Sequence, residues 1–209
     1  MNKNCFIYIV FLYTGIDIIC LAALYKDILL EYKITSVKLF KLNKKLLLMK
    51  TLDFIGLDSV AAGKTSTALQ QLLADFQIYY TNLRGFHWNI KGREFFQLHA
   101  KFEELYDDAA EKVDELAERI LQLGGTPVNT FSEYLKTAKV KEVSGVSCGC
   151  EAVKNVLETV SYFIAEERKA LKLASEAGDE TTVSLMSDYL KEQEKLVWML
   201  VALTSCDCE

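Results

Sequence analysis

Residues 84–119 read RGFHWNIKGREFFQLHAKFEELYDDAAEKVDELAER, and they hold both histidines of the chain, His87 and His99. An α-helix turns about 100° and rises about 1.5 Å per residue. On such a helix His99 and Glu103 form an i,i+4 pair, and Asp114 and Glu118 form another. The apolar seam expected to face a core is Phe102, Tyr106, Ala109, Val113, Leu116, Ile120 and Leu123. The four ionisable side chains then lie roughly 60–160° round from the centre of that seam, so they flank the core rather than fill it. Glu103 and Asp114 are separated by roughly 16 Å along the axis, whereas metal–ligand bonds are about 2 Å. One copy of the helix cannot close a site with all four residues. Two copies packed antiparallel about a two-fold axis can, with His99 and Glu103 of one facing Asp114 and Glu118 of the other. His87 enters from the preceding helix, across a break at Asn89–Gly92.

A lone histidine on a helix is more often a packed or surface residue than a ligand, and an i,i+4 acid pair is usually a solvated face. Two histidines and three acids gathered on one flank keep a metal reading open beside those, and the motif they belong to favours it. Their order is His87-Trp88-Asn89, Gly92, His99, Glu103, then Asp114-Glu115-Leu116-Ala117-Glu118-Arg119. This pattern resembles the signature of the Dps family, mini-ferritins that protect DNA in starved cells, and the resemblance covers roughly residues 50–205. Glu103 stands where many members carry Asp, which keeps the charge and adds one methylene. Ordinary ferritins bind metal inside the bundle through Glu-x-x-His motifs, and this chain contains no Glu-x-x-His.

The resemblance implies an all-α, ferritin-like four-helix bundle with a short extra helix in the crossover, assembled as a hollow homododecamer. It implies a ferroxidase: Fe2+ is oxidised to Fe3+, usually by hydrogen peroxide, at His87, His99 and Glu103 of one subunit and Asp114 and Glu118 of the next. Trp88 corresponds to a tryptophan beside that site, although a buried packing role explains it equally well. Arg119 is expected to pair with a carboxylate and orient it. Gly178-Asp179-Glu180 and Asp188 fall where such shells have iron-entry pores. An acidic funnel of Asp179 and Asp188 would concentrate Fe2+; the alternative is an ordinary acidic turn with a helix N-cap.

Apolar periodicity predicts long helices over 66–87, 94–123, 151–177 and 181–204, with Thr65 or Ser66 capping the first. Gly124-Gly125 stops the second, and Pro127 follows it. A short helix over 131–138 interrupts the 126–148 connection, and no strand pattern is present.

Residues 1–48 read differently. Cys5 to Leu24 is almost wholly apolar apart from Asp17, and scattered lysines follow. A membrane anchor is disfavoured by that central carboxylate, and a signal peptide by the long apolar run without a small-x-small cleavage site. The remaining reading starts the native protein at Met49, where the family's domain begins, leaving 1–48 as a doubtful extension and 49–209 as the domain.

Cysteines recur as Cys148/Cys150 and Cys206/Cys208. Antiparallel third and fourth helices would bring the four to one end, where soft-metal or haem binding or thiol chemistry is conceivable. Reduced cytoplasmic thiols are the plainer expectation. The net charge of −5 supplies no general attraction to nucleic acid. From Met49 the leading residues hold Lys50 and Lys64 against Asp53 and Asp58, and the last five, SCDCE, are acidic. DNA binding is therefore expected to be weak for the domain from Met49, and the lysines of 1–48 reopen the question if that extension belongs to the native protein. The competing functions are a DNA-compacting nucleoid protein, which needs a basic tail, and a haem or soft-metal sequestering protein using Cys148.

Overall fold

The computed structural model describes residues 18–47 and 50–205. Residues 1–49 and 50–209 form separate units. In the first, helix α1 spans Ile18–Leu47. Among the described residues no helix is long and apolar enough to cross a membrane. Most of the apolar run from Cys5, and Met49 itself, lie outside the described residues.

The second unit begins with a short helix α2 (Thr51–Ile55), which periodicity did not predict. Four long helices follow: α3 (Ser59–Asn89), α4 (Phe95–Gln122), α6 (Gly149–Glu176) and α7 (Glu180–Thr204), with the short α5 (Phe131–Thr137) between α4 and α6. The first long helix starts seven residues earlier than its expected cap. Asp58 is the reason: its carboxylate accepts from the amides of Val60 and Ala61 at 3.0 and 2.9 Å, which satisfies two amides of the first turn. Thr65 and Ser66 are buried inside the helix instead. Gly124, with φ +76°, ends the hydrogen-bonding run of α4 in the left-handed region that glycine tolerates. At Gly125 an added Cβ would come within 2.5 Å of Ser66 Oγ, so the chain passes close against α3 there.

The crossover is pinned along α3 by three polar side chains. Gln70 donates to Thr126 O at 2.6 Å and accepts from the Val128 amide at 3.1 Å. Asp75, fully buried, accepts from the Lys139 and Val140 amides and from the Tyr162 hydroxyl, at 2.6, 2.9 and 2.7 Å. Asn82 accepts from the Val143 amide and donates to Lys141 O. These contacts advance from the start of α3 towards its end, so the connection runs the length of the bundle. A single bridge between Lys91 and Cys148 then places the start of α6 beside the α3–α4 turn. This is the long-crossover topology of ferritin-like bundles.

The core is aromatic and aliphatic: Phe76 and Phe163 stack at 4.0 Å, Tyr79 meets both edge-on, and Phe86, Phe102 and Leu116 are buried in the same cluster. The buried face of α4 differs from the expected seam. Leu105 and Lys112 are buried, whereas Tyr106 and Val113 are half-buried. A lysine sits at a core spacing because it has partners there: Lys112 pairs with Asp108 and with Glu192 of α7.

Glu167, at 0% exposure, is also buried, and it accepts from Gln193 Nε2. Burial pushes its carboxyl up to about 7; the Gln193 hydrogen bond and Lys112 oppose that, while Asp108 and Glu192 add to it. The folded value lies above the unfolded one, so the stabilising contribution is full below the ordinary carboxylate range and lost as pH rises through about 7. Glu167→Gln should therefore gain on the parent by about 3 kcal/mol between pH 5 and pH 8. Denaturant unfolding at the two pH values measures it, and equal pH dependence in both proteins would contradict the assignment.

Candidate metal centre

His87 lies in the last turn of α3 and His99 in the second turn of α4, on either side of a tight reversal. Gly92 makes that reversal with φ +112°. The reversal sets the two imidazoles against each other, with ring centroids 3.8 Å apart and planes 20° from parallel. Each ring also bonds the other residue's backbone: His87 Nδ1 donates to His99 O at 2.8 Å, and His99 Nδ1 donates to His87 O at 2.9 Å. A carbonyl oxygen can only accept, so both protons must sit on Nδ1. In the neutral imidazoles the lone pair then sits on Nε2, the form that binds metal. Phe95 stacks on His99 at 5.1 Å, and Tyr106 meets His87 edge-on at 5.4 Å, which fixes the rings further.

Glu103 follows His99 by one turn and is exposed. The Tyr106 hydroxyl lies 3.4 Å from Glu103 Oε1. Burial, then the charges of Glu103 and Asp107, push that hydroxyl up, so it stays a donor. Asp114 and Glu118 are exposed and have no hydrogen-bond or ion-pair partner among the described residues. Neighbouring Glu115, by contrast, is taken by the Tyr189 hydroxyl at 2.7 Å. His99, Glu103, Asp114 and Glu118 fall within an arc of roughly 100° on α4. With Leu105 and Lys112 buried, that arc points further from the core than the expected flank.

The chain does not bring all five residues together. Among the described residues no three His, Cys, Asp or Glu side chains are placed to hold one metal ion. The two histidines and Glu103 form one half, and Asp114 and Glu118 the other, some three turns away. Trp88 is 64% exposed, with the Arg84 guanidinium 4.7 Å over its ring. A buried packing role within the subunit does not hold for it.

Two expectations need correction. Arg119 does pair with a carboxylate, but that carboxylate is Asp179 of the α6–α7 turn. Arg119 also donates to Thr182 Oγ1 at 2.8 Å and to Gln122 Oε1 at 2.7 Å, so it ties α4 to α7 and orients no metal ligand. Asp179 is 2% exposed, caps α7 by accepting from the Thr182 amide at 3.0 Å, and has no free carboxylate face to line a pore. The N-cap alternative describes it. Asp188 is exposed. Cys148 and Cys150 are exposed at the start of α6, whereas Cys206 and Cys208 lie outside the described residues. Tyr106 and Phe95 are not legible as site residues in the sequence: the spacing makes Tyr106 a seam residue, and nothing in it signals a ring stacked on His99.

A crossover-linked four-helix bundle with histidines and carboxylates on one helix defines a ferritin-like protein. A family model described as a ferritin-like domain matches residues 66–206. A DNA protection during starvation protein from Porphyromonas gingivalis is 54% identical over 153 residues, covering 73% of this chain and 96% of the relative. The crystal structure of a Dps protein from Vibrio cholerae superposes with a TM-score of 0.70 at 52% identity, over 71% of this chain and 94% of that one. It is described as a member of a broad superfamily of ferritin-like diiron-carboxylate proteins. A Dps protein from Bacillus brevis gives a TM-score of 0.68 at 36% identity, over 70% and 98% of the two chains. The chain belongs to the Dps family, and it is a mini-ferritin.

Proposed function

We propose that this mini-ferritin oxidises Fe2+ and stores the ferric product, with hydrogen peroxide as the usual oxidant. The observation that carries the reading is the reciprocal pair of Nδ1 hydrogen bonds, which leaves Nε2 of both His87 and His99 ready for a metal. Imidazole with carboxylate is a donor set suited to iron in both oxidation states. The iron site is completed between two subunits related by a two-fold axis: His87, His99 and Glu103 from one, Asp114 and Glu118 from its partner. The uncommitted state of Asp114 and Glu118 supports this, as does the exposed Trp88 beside His87. The description of the Vibrio cholerae relative as diiron-carboxylate supports iron as the metal.

Two ferrous ions supply the two electrons that reduce one hydrogen peroxide with two protons to two waters. Paired supply avoids release of hydroxyl radical, which is how iron storage also protects against oxidative stress. The ferric ions then form mineral in a hollow shell of twelve subunits in the cytoplasm. Asp188, exposed on α7, is the remaining candidate for an iron-entry path. DNA compaction is not part of this reading of the domain from Met49, whose residues 50–64 balance two lysines with two aspartates.

The test is to load the protein with Fe2+ without oxygen, add peroxide, and follow ferric absorbance through a size-exclusion column. The expected result is oxidation well above the protein-free control, with iron eluting in a large particle. Oxidation at the control rate, with iron lost as precipitate, would contradict it.

A further inference from the structure

One side chain touches both an imidazole and the carboxylate of the half-site carried by a single subunit. Tyr106 follows Glu103 by three residues on α4, so the two share a face of the helix. Its hydroxyl donates to Glu103 Oε1 at 3.4 Å, and its ring meets His87 of α3 edge-on at 5.4 Å. That hydrogen bond is at the long end of the range, as such bonds commonly are before a ligand is in place. The Tyr106 ring is itself held. Tyr80 of α3 packs against it edge-on at 6.0 Å, and the Arg84 guanidinium lies 5.3 Å from the centre of the Tyr80 ring. Packing between Tyr80 and His87 needs only the ring, which phenylalanine would supply equally well. The hydroxyl is the part that packing leaves unexplained.

Glu103 is exposed, and Tyr106 is its one hydrogen-bond partner among the described residues. An exposed glutamate must fix several side-chain torsions when it takes an ion, and that lost freedom weakens binding. We propose that Tyr106 is the positioning residue for Glu103: its hydroxyl holds Oε1 and leaves Oε2 to the iron. A carboxylate held before the ion arrives gives up less freedom on binding, and a hydrogen bond to a ligating carboxylate adds to metal affinity. Tyr106 also sets Glu103 and His87 in one frame, with its hydroxyl on the carboxylate and its ring against the imidazole. This inference rests on the iron reading of the interface site and adds the residue that orders one of its exposed ligands.

The experiment is anaerobic titration of the full chain with Co2+, read by the visible absorption of the bound ion, with thermal unfolding followed alongside. The parent should bind Co2+, and His99→Ala should lose it. Tyr106→Phe keeps the ring and removes the hydroxyl. It should bind Co2+ with the parent's stoichiometry but roughly 10-fold more weakly, at an unchanged unfolding temperature. Glu103→Asp keeps the charge and draws the carboxylate back from the hydroxyl by one methylene. In that background Tyr106→Phe should make no further difference to Co2+ affinity. A parent that binds Co2+ and a Tyr106→Phe variant that matches it overturn this proposal alone. So does a 10-fold loss that persists beside Glu103→Asp, because the hydroxyl would then act elsewhere. A parent that binds no Co2+ overturns the iron reading and this proposal with it.

Discussion

If iron is oxidised as proposed, His99→Ala should lower peroxide-driven iron oxidation by on the order of 100-fold or more, while the bundle keeps its helicity. The substitution removes one Nε2 ligand. It also removes the hydrogen bond to His87 O and the ring stacked on His87, so the second imidazole loses its packing partner and keeps only its own Nδ1 bond to the residue-99 carbonyl. The remaining ligands are exposed carboxylates that bind an ion weakly by themselves. The fold has little at stake, because His99 is half-buried and sits at the edge of the bundle. Rapid-mixing ferric absorbance with peroxide, alongside circular dichroism, measures both halves of the prediction. A variant that unfolds, or that oxidises iron at the parent rate, would assign His99 to packing instead.

Arg119→Ala should destabilise the subunit by about 3–5 kcal/mol, the cost of leaving one member of a buried ion pair without its partner. Asp179 would keep the Thr182 amide and hydroxyl but lose the Arg119 guanidinium. Because Arg119 joins α4 to α7, the loss should fall on the unfolding free energy and not on iron oxidation by whatever protein remains folded. Denaturant unfolding with a parallel oxidation assay decides. A change under about 1 kcal/mol together with lost metal binding would return Arg119 to the metal centre.

The long helices were legible because their signals are local: period, glycine stops and the proline after α4. The start of α3 was less so, since Thr65 and Ser66 look like caps until Asp58 is seen to hold the preceding turn. The interface residues could be read from spacing because a helix converts i,i+4 into adjacency. The inner face of α4 could not. Lys112 falls at a core spacing with Leu105, Ala109 and Leu116, and only Glu192, 80 residues away, explains why a lysine is tolerated there. The same holds for Arg119 and Asp179, which look like surface charges in sequence and become a buried pair once α4 and α7 are side by side. Asp75 and Asn82 likewise gave no sign of the crossover amides they hold.

The central claim is that each iron site is shared between two subunits, and complementation tests it most directly. One variant, His99→Ala/Glu103→Ala, keeps Asp114 and Glu118; the other, Asp114→Ala/Glu118→Ala, keeps His87, His99 and Glu103. Each alone should be inactive. When the two are unfolded together and reassembled in equal amounts, about half the two-fold interfaces pair unlike subunits, and each of these regains one of its two sites. The account predicts about one quarter of the parent rate of peroxide-driven iron oxidation. A mixture no more active than its components would contradict a shared site.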